Sequence, residues 1–119
     1  MGALTREQIL SAEDLKTEEV QVPEWGGVVI VQELTATDRD AYETSVVTVE
    51  GDDVQINALN MRSKLAALSM VDDAGGRLFT QKDVVALGKK SATAVDRIVD
   101  VARRLSGIGD KRLEEAGKD

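Results

Sequence analysis

The residues that could do chemistry in this chain are few. Asp72-Asp73-Ala74-Gly75-Gly76 sets two carboxylates before a glycine pair, the outline of a calcium loop. A calcium loop needs alternating oxygen ligands and a distal Glu, and this run has neither, so a solvated turn is expected. Ser91 follows Lys89 and Lys90, but adjacency alone does not make a Ser–Lys dyad, and a serine there suits a helix cap. Gly26-Gly27 and Gly107-Ile108-Gly109 lack the spacing of phosphate-binding loops. Arg103, Arg104, Lys111 and Arg112 lend the second of these the local charge of a nucleic-acid backbone clasp, against which stands the plainer reading of a helix stop. Glu18 and Glu19 are adjacent carboxylates, but neighbours in a strand point to opposite faces and cannot share a proton. The chain has no His and no Cys, which removes the commonest general base, the commonest metal ligand and all thiol chemistry. The expectation is a non-enzyme with no metal and no cofactor.

Composition narrows the partners. The 119 residues carry a formal charge of −7, and a negative surface repels phosphate backbones and anionic lipid. No nucleic acid and no membrane are expected as partners. No run approaches the roughly 20 apolar residues of a membrane span, and Met1-Gly2-Ala3-Leu4-Thr5-Arg6 lacks a secretory apolar stretch, so the expected location is the cytoplasm. Hydrophobic residues make up 42%, yet aromatics only 3%: Trp25, Tyr42 and Phe79. A core of Val, Leu, Ile, Ala and Met leans on helix packing.

The elements that must position these residues follow from periodicity. Residues 4 to 12 read as a short helix capped by Thr5, with Ile9 and Ala12 as a small apolar face. Lys16 to Val22 alternates, Pro23-Glu24-Trp25-Gly26-Gly27 turns, and Val28 to Leu34 is β-branched and apolar, so residues 17 to 34 form one antiparallel hairpin. Thr35 or Thr37 caps the next helix, with a carboxylate three residues on in either register. Residues 48 to 56 fit a second small hairpin or an ordered loop equally well. Asn57 to Val71, apolar nearly all round, reads as the most buried helix. Thr80 with Asp83 opens a short helix that stops near Gly88. Ser91 caps the last long helix, whose Val95, Ile98, Val99 and Ala102 recur at i, i+3, i+4 and i+7. The expected architecture is α+β, one domain over residues 1–119. An N-terminal antiparallel β-hairpin packs on a bundle of about four helices, with residues 35 to 116 mainly helical.

Two features suggest a surface for another protein. The last helix carries Ala94, Val101, Leu105 and Ile108 on the flank of its main stripe, an apolar arc wider than one layer needs, which either the hairpin covers or another protein meets. Trp25 is the one large aromatic at a turn, where it can anchor a partner or close over the core. Val101, Leu105, Ile108 and Trp25 are the candidate protein-binding residues.

The order of these features resembles a known family. Val22-Pro23-Glu24-Trp25-Gly26-Gly27 leads into a strand ending Gln32-Glu33-Leu34-Thr35, and Asp38-Arg39-Asp40-Ala41-Tyr42-Glu43 follows. Asn60-Met61-Arg62-Ser63-Lys64-Leu65, Val71-Asp72-Asp73, Leu78-Phe79-Thr80 and Ala94-Val95-Asp96-Arg97 complete the pattern. It is similar to the tail assembly chaperones of long-tailed bacteriophages, particularly actinobacterial ones, from about residue 4 to residue 116; residues 45 to 56 match least. The resemblance implies a non-enzymatic protein that holds the tape measure protein soluble, helps the tail tube protein polymerise around it, and is absent from the finished virion. In many such phages a frameshift extends a fraction of the molecules, and this chain would be the short form; a long form or self-association belongs among the implied partners. Two alternatives compete: a tail completion or connector subunit retained in the particle, and a small nucleic-acid-associated regulator built on Gly107-Ile108-Gly109.

Overall fold

The computed structural model describes residues 2–56 and 59–108. Helix α1 (Arg6–Ser11) comes first, followed by strand β1 (Thr17–Val22) and strand β2 (Gly27–Gln32). The two strands pair antiparallel from Thr17↔Gln32 to Val22↔Gly27, the expected hairpin. Its turn is a 3-10 segment, Pro23–Trp25, closed by Gly26 at φ 76°. That left-handed backbone suits a residue without Cβ. Gly27, the other glycine of the pair, already belongs to β2.

Helix α2 (Ala36–Val46) is capped by Thr35, whose side chain accepts from the Asp38 N–H. The segment that could be loop or hairpin is a hairpin: β3 (Val47–Glu50) pairs antiparallel with β4 (Asp53–Ile56) around Gly51. The stretch from residue 35 onward therefore contains strands as well as helices.

The central helix is shorter than its apolar run. Helix α3 spans Met61–Ser69, while positions 57 and 58, the expected start, lie outside the described residues. Met70–Val71, expected as its last turn, is instead strand β5. It pairs with β2 through Ile30↔Val71 and Val31↔Met70, giving a three-stranded sheet in the order β1-β2-β5. Apolar residues on every side look the same for a buried helix and for a strand covered on both faces, and the free edge of β2 decided the outcome. The Asp72 turn follows, with Asp72 Oδ1 accepting from the N–H groups of Ala74 and Gly76, both at 2.9 Å. This is the solvated-turn arrangement, held by the carboxylate itself.

Helix α4 (Val84–Leu87) is entered through a 3-10 turn capped by Thr80, with the Asp83 carboxylate returning to the Thr80 N–H at 2.8 Å. Helix α5 (Ala92–Ser106) runs from Ser91, whose hydroxyl accepts from the Ala94 N–H at 3.3 Å, to Gly107 at φ 68°. Past that glycine, the Ile108 N–H returns to the Arg103 carbonyl at 2.9 Å, and Ile108 turns into the core. This is a Schellman closure, in which an apolar residue after the glycine packs back on the helix.

The core lies between the sheet and the helices. Val20, Val22, Val31 and Leu34 of the hairpin region meet α5 residues Val95, Ile98, Val99 and Ala102, and α3 adds Leu65, Ala66 and Ala67 from the other side. The expected stripe of α5 is thus the buried one. Ser106 ties the layers together, its Oγ accepting from the Leu34 N–H at 3.0 Å while its carbonyl accepts from Arg39 at 3.3 Å. Helix α1 stands apart and buries none of its residues, so the small apolar face expected at Ile9 is left uncovered.

Candidate interaction surface

Trp25 owes its position to the turn that carries it. Pro23 presets the backbone of the 3-10 segment, and the Gly26 N–H closes onto the Pro23 carbonyl at 3.1 Å. Next to Trp25, the Glu24 carboxylate takes both guanidinium nitrogens of Arg97, at 2.7 and 3.1 Å. That fork-to-fork pair fixes direction as well as distance. The hydrogen bonds from Arg97, with Glu24's own backbone N–H, hold the Glu24 carboxyl below its ordinary range, and the same pair raises Arg97.

So anchored, Trp25 is half-buried and packs against the core. Its open side lines a cavity of about 490 Å³ with Phe79, Ala86 and Leu87, rimmed by Glu24, Asp83 and Lys90. Phe79 stands there because the Thr80–Asp83 capping box turns the chain immediately after it. Two of the chain's three aromatics therefore share one open apolar groove. The sequence reading singled out Trp25 but not Phe79, Ala86 or Leu87. The only available signal was the scarcity of aromatics, which makes any partly wet pair of them notable.

The α5 flank is placed differently. Val101 lies on the helix row between Arg97 and Arg104, both of which reach across to the hairpin: Arg97 to Glu24, and Arg104 to both oxygens of Glu18 at 2.8 and 2.7 Å. Val101 and Leu105 are half-buried and pack against the core. Ile108, grouped with them by spacing, is only 7% exposed and is a core residue of the isolated chain. The Glu24–Arg97 pair brings the Trp25 turn to α5 one helical turn before Val101, while Leu105 lies next to Arg104 at the Glu18 end of the seam.

The remaining chemical candidates are absorbed by structure. Ser91 is a cap, Gly107-Ile108 is a helix stop, and Arg104 is occupied by Glu18; Gly109, Lys111 and Arg112 lie outside the described residues. Among the described residues no group of three or more Asp or Glu is placed to hold a metal ion. No helix among them is long and apolar enough to cross a membrane.

A three-stranded sheet backed by helices, with an open aromatic groove and a charge-pinned seam, defines a small α+β domain. Its family is shown by sequence: the profile described as phage tail assembly chaperone matches residues 5–119, and the chain belongs to that family. No curated protein sequence matches it. Among solved structures, one described as the bacteriophage HK97 tail assembly chaperone has a similar fold, with a TM-score of 0.59 at 20% identity. The match covers 83% of this chain and 94% of that one. The family is of a non-enzymatic kind and implies phage tail proteins as partners.

Proposed function

We propose that this chain binds the tape measure protein in the host cytoplasm, keeps it soluble, promotes assembly of the tail tube protein around it, and leaves before the virion is complete. The observation that carries this reading is family membership over nearly the whole chain. The contact surface is the Trp25 groove together with the exposed parts of Val101 and Leu105, with Ile108 in the core against which these three pack. A tape measure protein is long and largely helical, and its apolar stripes need cover before assembly. Half-buried Trp and aliphatic side chains around an open groove offer that cover, while the charge of −7 keeps the free chaperone dispersed. The frameshifted long form, where made, would add a segment beyond this domain.

Co-expression with the tape measure protein of the same phage, followed by pull-down, tests the reading. Trp25→Ala and Val101→Asp, with Leu105→Gln as a milder change, should keep native circular dichroism and lose at least tenfold in captured tape measure protein. Variants that fold and still capture it at the native level would show that the surface lies elsewhere. Native chain that captures no tape measure protein would overturn the partner. Recovery of this chain from purified virions would favour a retained structural subunit.

A further inference from the structure

Beyond the groove and the seam, the sheet ends in an unused edge. β1 is the outer strand of the β1-β2-β5 order, six residues long, with no Pro and no bulge inside it. Natural sheets blunt such an edge with Pro, bulges or charged side chains, and here only the charges of Glu18 and Glu19 are present, of which Glu18 is held by Arg104. Its register fixes which backbone groups are free. The Glu33 N–H donates to the Lys16 carbonyl at 2.8 Å, next to the Thr17↔Gln32 pair. Hydrogen-bonded pairs alternate in an antiparallel ladder, so Glu18, Val20 and Val22 bond to β2 and Thr17, Glu19 and Gln21 turn their N–H and C=O groups outward. Among the described residues no hydrogen bond uses those outward groups.

The side chains beside this edge select what can pair with it. Glu19, exposed, has no cationic partner among the described residues. A Lys or Arg on an added strand, opposite or diagonal to Glu19, pairs with its carboxylate across the ladder, while β-branched residues on the other face lie beside Val20 and Val22. A second copy of β1 fits poorly. Antiparallel self-pairing centred on this strand sets Glu19 against or diagonal to another Glu19, and like charges across a ladder are destabilising.

We propose that the β1 edge accepts, as an added strand, an extended segment of a partner protein that alternates β-branched residues with Lys or Arg. Main-chain hydrogen bonds to Thr17, Glu19 and Gln21 supply the register, and the unpaired Glu19 carboxylate supplies the preference for cationic side chains. This edge is distinct from the Trp25 groove, and the proposal stands whether or not the tape measure protein is the partner.

The test is amide hydrogen exchange on the full chain with two synthetic octapeptides, one alternating Lys with Val and Thr, the other with Glu in place of every Lys. The Lys peptide should slow exchange at Thr17, Glu19 and Gln21 by tenfold or more, leaving Glu18, Val20 and Val22 as protected as before, and the Glu peptide should do neither. Glu19→Lys should reduce the Lys peptide's effect several-fold. Gln21→Pro removes an outward N–H without touching the β1–β2 ladder, and should abolish the protection while circular dichroism stays native. No protection by the Lys peptide at millimolar concentration, equal protection by both peptides, or protection that rises with protein concentration without peptide would each overturn the proposal, the last by making a second copy the occupant.

Discussion

Helices α1 and α5 begin alike and end in opposite surroundings. Thr5 caps α1 with a complete capping box through Gln8, and Ser91 caps α5 through the Ala94 N–H. Both carry isoleucine on an apolar face, yet Ile9 is 57% exposed and Ile98 is fully buried. Length separates them. The 15 residues of α5 repeat the apolar positions over four turns, enough to cover the hairpin on one side and α3 on the other. The six residues of α1 make fewer than two turns, and the one or two side chains they could bury do not offset the entropy of ordering the arm. A cap is a contract among four residues, whereas burial needs a stripe and an opposing surface.

The comparison breaks most easily at the isoleucines. Ile98→Ala should cost about 2–5 kcal/mol in urea unfolding, because it leaves a cavity where the sheet, α3 and α5 meet. Ile9→Ala should stay within about 0.5 kcal/mol of the native chain. Equal losses would mean that α1 is packed in solution.

The caps give a smaller effect. Ser91→Ala should lower global stability by about 1 kcal/mol, since α5 spans the core. Thr5→Ala should leave the unfolding midpoint unchanged and move the chemical shifts of residues 6–11 toward coil values. A midpoint shift for Thr5→Ala would show α1 coupled to the fold.

The smallest effect concerns the seam, where α5 is pinned and α1 has no counterpart. Arg97's hydrogen bonds hold the folded-state Glu24 carboxyl below its ordinary value. The pair's contribution is therefore present above the ordinary glutamate range and is lost as pH falls through the depressed value. Both groups are at the surface, so the acid-induced drop in urea midpoint should be slightly shallower for Glu24→Gln than for the native chain. An identical pH profile for the two would remove Glu24–Arg97 from the forces orienting the Trp25 turn.

How much of this was legible varied with the range of the determinant. The hairpin at 17–34, its left-handed glycine, the caps at Thr5, Thr80 and Ser91, and the α5 stripe were readable because each rests on neighbours within a few residues, while the second helix's cap was narrowed to Thr35 or Thr37. The fate of Ile108 was partly readable: glycine followed by an apolar residue is the signature of a helix end that folds back, and spacing on an ideal helix hid it. The groove partners of Trp25 were not readable, since Phe79 and Leu87 lie more than fifty positions away and meet it only through the packed core.

The sequence by itself determined the fold class, because alternation, period and capping are local and its aliphatic, aromatic-poor composition favours helix packing. Tertiary structure alone decided that Met70-Val71 leaves the helix to complete the sheet, that Arg97 and Arg104 cross to Glu24 and Glu18, and that β1 is the outer strand among the described residues. Each of those outcomes depends on which surface happens to lie opposite, and an apolar run or an unpaired guanidinium carries no record of its neighbour until the chain has closed around it.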